Sequence, residues 1–175
     1  STVDIARDQG ARVVFEPKRT IAAGRQTGSM NAYGNVIVGS CADVYAEPDW
    51  LAKLVEPLMK GSFVASIGPV LPKDGNIAEN VFASGFLKPV TRVLSMVGMD
   101  FVAGENFAIR KEIFHRIGGF NTDMITAEDA NLIKRMKLHG KIAYVPKAEV
   151  YISMRRVRKW GYAKYLLYHG SNFFR

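Results

Sequence analysis

The 175-residue sequence contains one cysteine, Cys41, so it closes no intrachain disulfide, and such usage points to a reducing, cytosolic setting. No stretch reaches the ~18 to 20 uninterrupted apolar residues of a membrane span. The N-terminal Ser1-Thr-Val-Asp4 is not the start of a basic-then-apolar signal sequence. The histidines His115, His139 and His169 lack metal-ligand spacing, and each reads as satisfied or solvent-facing. There is no Gly-x-Gly-x-x-Gly, no Walker loop, no Gly-x-Ser-x-Gly and no Cys/His zinc pattern. Acids are missing from the last 25 residues altogether.

What is present is a chain 48% hydrophobic and 23% charged, the profile of one soluble globular domain. A domain of this size buries roughly 70% of its unfolded surface and needs no disulfide or structural metal. The charge is uneven. Residues 1–129 hold 13 Lys and Arg against 15 Asp and Glu, whereas residues 130–175 hold 11 against 1. The last 25 residues carry Arg155, Arg156, Arg158, Lys159, Lys164 and Arg175 among seven aromatics that include Trp160 and Tyr162. Such a tail suits an anionic partner: lipid headgroup, phosphate or nucleic acid.

The hydrophobic periodicity predicts helices over 1–9, 20–33, 49–60, 111–117 and 127–139, and a helix over 76–97 kinked or divided at Lys88-Pro89. Strands are expected over 11–16, 35–39, 63–67, 101–109, 141–145 and 148–152. Helix and strand alternate with short connections, which argues for an α/β layered fold with a mostly parallel sheet. In such sheets ligands bind beyond the carboxyl ends of the strands. The polar residues after Val38, after Val102 and at the start of the 127–139 helix are therefore the ones to inspect.

Asp43, in Gly39-Ser-Cys-Ala-Asp43, follows a buried strand, where a hard divalent cation on phosphates finds oxygen ligands; a loop carboxylate capping the next segment fits equally. Glu128 and Asp129 stand in a helix's first turn, whose dipole favours the anion and would lower both pKa values. A carboxylate kept ionised can take a hydroxyl proton as general base. Gly104-Glu-Asn-Phe-Ala-Ile-Arg110 brings an acid, an amide and an arginine together, with Gly104 permitting close backbone approach and Arg110 open to a surface role. Arg25, among small and apolar neighbours, should face an anion or a partner carboxylate. Arg155-Arg-Val-Arg158 can bind a diphosphate through bidentate contacts, and Trp160 can stack on a sugar or anchor at a membrane interface.

Taken in order, five stretches resemble the inverting family 2 glycosyltransferases, which use a nucleotide-diphosphate sugar and a divalent cation on the GT-A fold. They are Ile21-Ala-Ala-Gly-Arg-Gln-Thr-Gly28; Asn35 to Asp43 with Pro48-Asp-Trp-Leu51; Gly104 to Arg110 through Gly118-Gly-Phe120; Glu128-Asp129; and, more loosely, Arg155 to Trp160. The resemblance implies a Rossmann-like, mostly parallel sheet flanked by helices, with an opening strand, helix and strand that would precede Ser1. It implies that residues 1–153 form the transferase domain and 154–175 a basic aromatic helix that can face a membrane. Asp43 would ligate Mg2+ or Mn2+, although Cys41 stands where the motif's first acid is expected. Arg25, Asp43, Arg155 and Arg158 would hold the donor; Glu105, Asn106 and Trp160 would form the acceptor side. Asp129 would be the base, with Glu128 beside it. The implied partners are a nucleotide-diphosphate sugar, a lipid-linked or glycan acceptor and a membrane surface, without nucleic acid; the implied place is the cytoplasm, peripheral to the inner face of the cell membrane. A non-catalytic module holding an anionic membrane or partner is the alternative from another class.

Overall fold

In the computed structural model, residues 1–61, 63–99, 104–164 and 167 are described. Helix α1 (Thr2–Asp8) starts with a capping box in which Ser1 and Asp4 satisfy each other's backbone and side-chain groups. Helix α2 (Ile21–Met30) is capped by Thr20. The segment 11–16, expected as a strand, forms none. Its Phe15 is 85% exposed, and Arg12 and Glu16 tie the segment to α2 and its C-terminus instead. Strand propensity without a neighbouring strand to pair with gives no ladder.

Strands β1 (Val36–Gly39), β3 (Ala65–Ile67), β5 (Phe107–Arg110) and β6 (Ile142–Tyr144) form one sheet in the order β1-β5-β3-β6. A second sheet, β2-β7-β4, comprises β2 (Val44–Ala46), β7 (Val150–Ile152) and β4 (Val70–Pro72). The layered α/β architecture agrees with the sequence, but the sheets are mixed. β5 runs antiparallel to both β1 and β3, β2 antiparallel to β7, and only β3-β6 and β4-β7 are parallel. The three-residue β2 and β4 are too short to leave an alternation that sequence reading can detect.

Helix α3 (Trp50–Met59) lays Leu54 and Leu58 on one face of the main sheet, against Ala108 and Ala148. On the other face Ile37, Ile67, Phe107 and Ile109 meet α6 (Lys111–Arg116) and α7 (Glu128–Lys137) through Phe114, Leu132 and Met136. The fully buried Phe114 packs edge-on to Phe120 with ring centres 5.7 Å apart.

The 76–97 stretch is divided as expected, by an unexpected device. Helix α4 (Ile77–Val81) runs into a π turn (Phe82–Leu87) and then α5 (Lys88–Met96). Proline lacks an N–H and crowds the carbonyl four residues earlier, here Gly85. The wider turn, closed by the Lys88 N–H on the Ala83 carbonyl, carries the chain past Pro89. The six-residue α8 (Arg155–Trp160) follows β7, with Val157 buried.

Candidate active site

The pairing of β1 with β5 assembles the site. Gly39 faces Phe107 across the antiparallel ladder, so the chain leaving β1 and the chain entering β5 lie at the same end of the sheet. Ile67 and Tyr144 close their strands at that end too, making it the carboxyl end of β1, β3 and β6. Residues 104–106 were expected past a strand's carboxyl end; they instead lead into β5, and its antiparallel direction brings them to the same place. Residues 100–103, where that strand was expected to begin, lie outside the described residues.

Arg25, Cys41, Gly104, Glu128 and Asp129 converge there. The Arg25 guanidinium donates from Nη1 to Glu128 Oε1 at 2.9 Å and from Nη2 to Cys41 Sγ at 3.5 Å. The ion pair is largely buried, its side chains 19% and 7% exposed. The Gly104 N–H donates to Asp129 Oδ2 at 3.0 Å, and the Ala130 N–H to Asp129 Oδ1 at 2.8 Å. Both oxygens of Asp129 are thus aimed by backbone, leaving further lone pairs for an incoming donor. Gly104 has the role expected of it, because a Cβ there would overlap the Arg25 guanidinium.

The pair's helix starts from a strained residue. Ala127 has φ 60° and ψ 25°, the only positive φ outside glycine among the described residues. This left-handed kink turns the chain abruptly into α7, so that adjacent carboxylates serve different partners: Glu128 takes Arg25 and Asp129 takes the 104 loop. The expected lowering of the Glu128 pKa by the helix dipole is overturned. Burial pushes it up, reinforced by Asp129 and Glu105, against the opposing pull of Arg25. Burial also raises the Cys41 thiol, helped by the negative charge of Glu105. Glu105 therefore belongs to the same electrostatic cluster.

Asp43 lies in the turn between β1 and β2 and is half-exposed; the exposed Arg155 of α8 reaches it at 3.5 Å. The two residues expected on the donor side thus come together. Arg158 does not join them: it pairs with Glu79 at 3.0 Å and Asp74 at 3.6 Å, and donates to the Asp74 carbonyl. Its charge is instead taken by an inward-facing carboxylate, Glu79, 6% exposed. Arg158, Tyr162 and the Asn76 N–H hold Glu79 down to a pKa of about 2. Trp160 stands on α8 with Lys164 over its ring at 6.0 Å.

Asn106 is corrected as an acceptor-side residue. It is fully buried, takes the Trp50 indole N–H on Oδ1 at 2.9 Å, and donates to the Pro69 and Ala148 carbonyls at 2.9 and 2.7 Å. It links α3 to the loops after β3 and before β7. Arg110 is no surface charge either, since it caps the end of α3 through the Phe63 and Leu58 carbonyls. Two further residues shape the site unannounced by any motif. Gln26 accepts the Phe120 N–H at 2.7 Å, and Arg135 donates to the Ile117 and Gly119 carbonyls, both at 2.6 Å. Between them they lock the 117–120 loop to α2 and α7. The left-handed Gly118 and Gly119 were the available signal for that turn.

Among the described residues no three His, Cys, Asp or Glu side chains are placed to hold a metal ion. No described helix is long and apolar enough to cross a membrane.

Comparison with known proteins turns this geometry into a class. Solved glycosyltransferases share the GT-A fold. The mannosyltransferase PcManGT from Pyrobaculum calidifontis, in complex with GDP-Man and Mn2+, superposes with a TM-score of 0.65 at 21% identity, over 87% of this chain and 42% of its own. GalNAc-T7 with UDP, GalNAc and Mn2+ gives 0.62 at 19% identity, over 87% and 34%. Glucosyl-3-phosphoglycerate synthase from Mycobacterium tuberculosis, with Mn2+, UDP-glucose and phosphoglyceric acid, gives 0.59 at 16%, over 99% and 63%. The chain thus spans between a third and two thirds of these proteins. The model of glycosyl transferase family 2 matches residues 1–118, and the chain belongs to that family. A search of curated proteins returned no match.

Proposed function

We propose that this chain transfers a sugar from a nucleotide-diphosphate sugar to an acceptor hydroxyl with inversion, the acceptor being lipid-linked or a polysaccharide. The observation that carries the reading is the junction of Asp129, Gly104, Arg25 and Glu128 at the sheet's carboxyl end. The nucleotide sugars in the similar structures support the donor class.

Asp129 is the general base. With both oxygens held by backbone N–H groups, it presents a fixed carboxylate that can accept a hydroxyl proton at ~3 Å. Glu128 keeps Arg25 in place and with it the 104 loop that carries Asp129's partner. Asp43, a half-exposed oxygen donor in a turn, fits a Mg2+ or Mn2+ ion that takes one protein carboxylate, waters and substrate phosphates. Burial raises the Cys41 thiol pKa and favours its neutral form, which leaves Asp43 the better oxygen ligand for a hard cation. A bound divalent cation would neutralise the diphosphate as it leaves. Arg155, which replaces Arg158 in that role, adds its own charge beside Asp43.

We place this activity at the cytosolic face of the membrane, with residues 1–153 as the transferase part and 154–175 as the basic aromatic part that meets the bilayer. A non-catalytic, membrane-holding module is the second reading, favoured by the apolar surface of α4 and α5. Calorimetric titration with UDP and GDP, with and without Mn2+, separates them. Metal-dependent binding lost in Asp43→Ala, and transfer lost in Asp129→Asn with binding kept, supports the transferase. Vesicle binding with no nucleotide binding, repeated on the full-length protein, refutes it.

A further inference from the structure

We propose that the cleft between the π turn and α8 is a groove for one hydrocarbon chain of an anionic membrane lipid, whose headgroup is met by the cations of α8. The inference rests on the membrane-surface reading and adds a specific lipid site to it.

The cleft has a volume of about 510 Å³, within the range of small-molecule sites. Leu71, Phe82, Ala83, Leu87, Ile152 and Val157 line it. Its polar members, Asn76 and Glu79, are already engaged, Asn76 as the α4 cap and Glu79 with Arg158 and Tyr162. A guest there meets hydrocarbon, not open hydrogen-bonding groups. The π turn forms one wall, and its Phe82 stacks on Phe86 at 5.5 Å.

The wall continues into an uncovered apolar surface. Val81 is 65% exposed, Phe86 56%, Val93 59% and Met96 71%. Soluble monomers seldom leave large contiguous apolar patches in water, and such a surface marks a docking face. Charge identifies the partner. Of the cations within residues 76–97 and 154–164, Lys88 is paired with Glu149, Arg155 with Asp43 and Arg158 with Glu79 and Asp74, while Arg92, Arg156, Lys159 and Lys164 form no ion pair with these acids. Glu79 is neutralised by Arg158, while Arg156 and Lys159 are exposed. A second copy docking by two-fold symmetry would set these cations against one another. An anionic bilayer satisfies the apolar wall and the cationic rim together.

The test uses the whole chain and three probes: vesicles of phosphatidylglycerol with phosphatidylcholine, a soluble short-chain phosphatidylglycerol, and glycerophosphoglycerol as the headgroup alone. Vesicle binding should require phosphatidylglycerol and fall about fivefold for each of Arg156→Ser and Lys159→Ser. The short-chain lipid should bind where the bare headgroup does not. Ala83→Leu, which fills the groove, should weaken short-chain binding at least tenfold. On the unmutated chain, amide exchange should slow at 76–97 and 154–162 when the short-chain lipid is added, a readout independent of whether Ala83→Leu folds. Slowing elsewhere, equal binding by a folded Ala83→Leu, vesicle binding indifferent to phosphatidylglycerol, or self-association that alone covers the surface would overturn the proposal. UDP and GDP titrations on the same samples keep the two readings apart: loss of nucleotide binding with lipid binding intact fails the transferase and spares the groove, and the reverse fails the groove only.

Discussion

Replacing Arg25 by Met removes the cation from a carboxylate that is 7% exposed, and the consequence can be worked from the geometry. Breaking a buried ion pair by deleting one member costs about 3–5 kcal/mol, because the other charge stays desolvated. Arg25 itself keeps 19% of its side chain in solvent, so the lower end applies, about 3 kcal/mol. For a chain of this length that is a fall in Tm of roughly 5–10 °C. Adding Glu128→Gln should return most of the loss, leaving a coupling of about 1–3 kcal/mol in the double-mutant cycle. The pH dependence has a definite sign. Burial raises the Glu128 pKa above its ordinary 4.5 in the fold, so the folded chain binds this proton more tightly than the unfolded one. Stability from this group is therefore greatest in acid and declines as pH rises through 4.5 toward the folded value. Without Arg25 the folded value climbs further, and the deficit of Arg25→Met should shrink between neutral pH and pH ~4. Urea unfolding at both pH values measures it. A coupling below about 0.5 kcal/mol, or a deficit that does not narrow in acid, would refute the assignment of Arg25 as the counter-ion that holds Glu128.

Asn106→Ala should cost at least about 3 kcal/mol in urea unfolding, since the Trp50 indole and the Pro69 and Ala148 carbonyls lose their partner together. A loss under about 1 kcal/mol would contradict a clamp made of three bonds. Ala127→Gly should stabilise by about 0.5–1 kcal/mol, because glycine adopts a positive φ without the Cβ penalty; calorimetric Tm reads it, and a lower Tm would mean the kink is not strained. The Glu79 carboxylate is more acidic in the fold, at about 2, than its ordinary 4.5, so its contribution is complete above 4.5 and lost as pH falls toward 2. Protection factors of the 154–164 amides, which correct for the pH dependence of intrinsic exchange, should fall over that window, and Glu79→Gln should be weakly protected at every pH; a flat protection profile in the unmutated chain would sink the idea that this carboxylate anchors α8.

The elements legible in the sequence are those with a long period or a punctuating residue. Helices α2, α3 and α7 have apolar stripes and stops at Asn31, Lys60 and Leu138, close to where Gly34, Lys60 and Gly140 suggested. The strand direction was not legible. A run such as Phe107–Arg110 is buried on both faces whether its neighbours run parallel or antiparallel, so hydrophobicity carries no sign of direction. Residues 11–16 show the converse: β-branched and aromatic composition marks a segment able to pair, and the pairing itself depends on a partner elsewhere.

The site divides on the same physical line. Acids and glycines that meet backbone, such as Asp129 and Gly104, could be placed from local grammar, because a helix start and a close approach demand particular residue types. Long side chains could not. The sequence leaves Arg25 facing an unnamed anion or carboxylate, Arg110 open to a surface role and Arg158 turned to a diphosphate, yet each, like Arg135, reaches across the fold to a particular carboxylate or helix-end carbonyl. A guanidinium offers five donors on a flexible stem, so its partner is fixed by tertiary geometry and leaves no spacing behind. That leaves Arg155 as the member of the Arg155 to Arg158 group that reaches Asp43, and it makes the anchoring of α8 through Arg158 and Glu79 the condition for Arg155 to stand there. On the proposed donor role of Arg155, donor binding and the seating of α8 are then one equilibrium. Releasing Glu79 by Glu79→Gln should weaken nucleotide binding although residue 79 is not placed in the donor site, and unchanged affinity in that variant would uncouple the two.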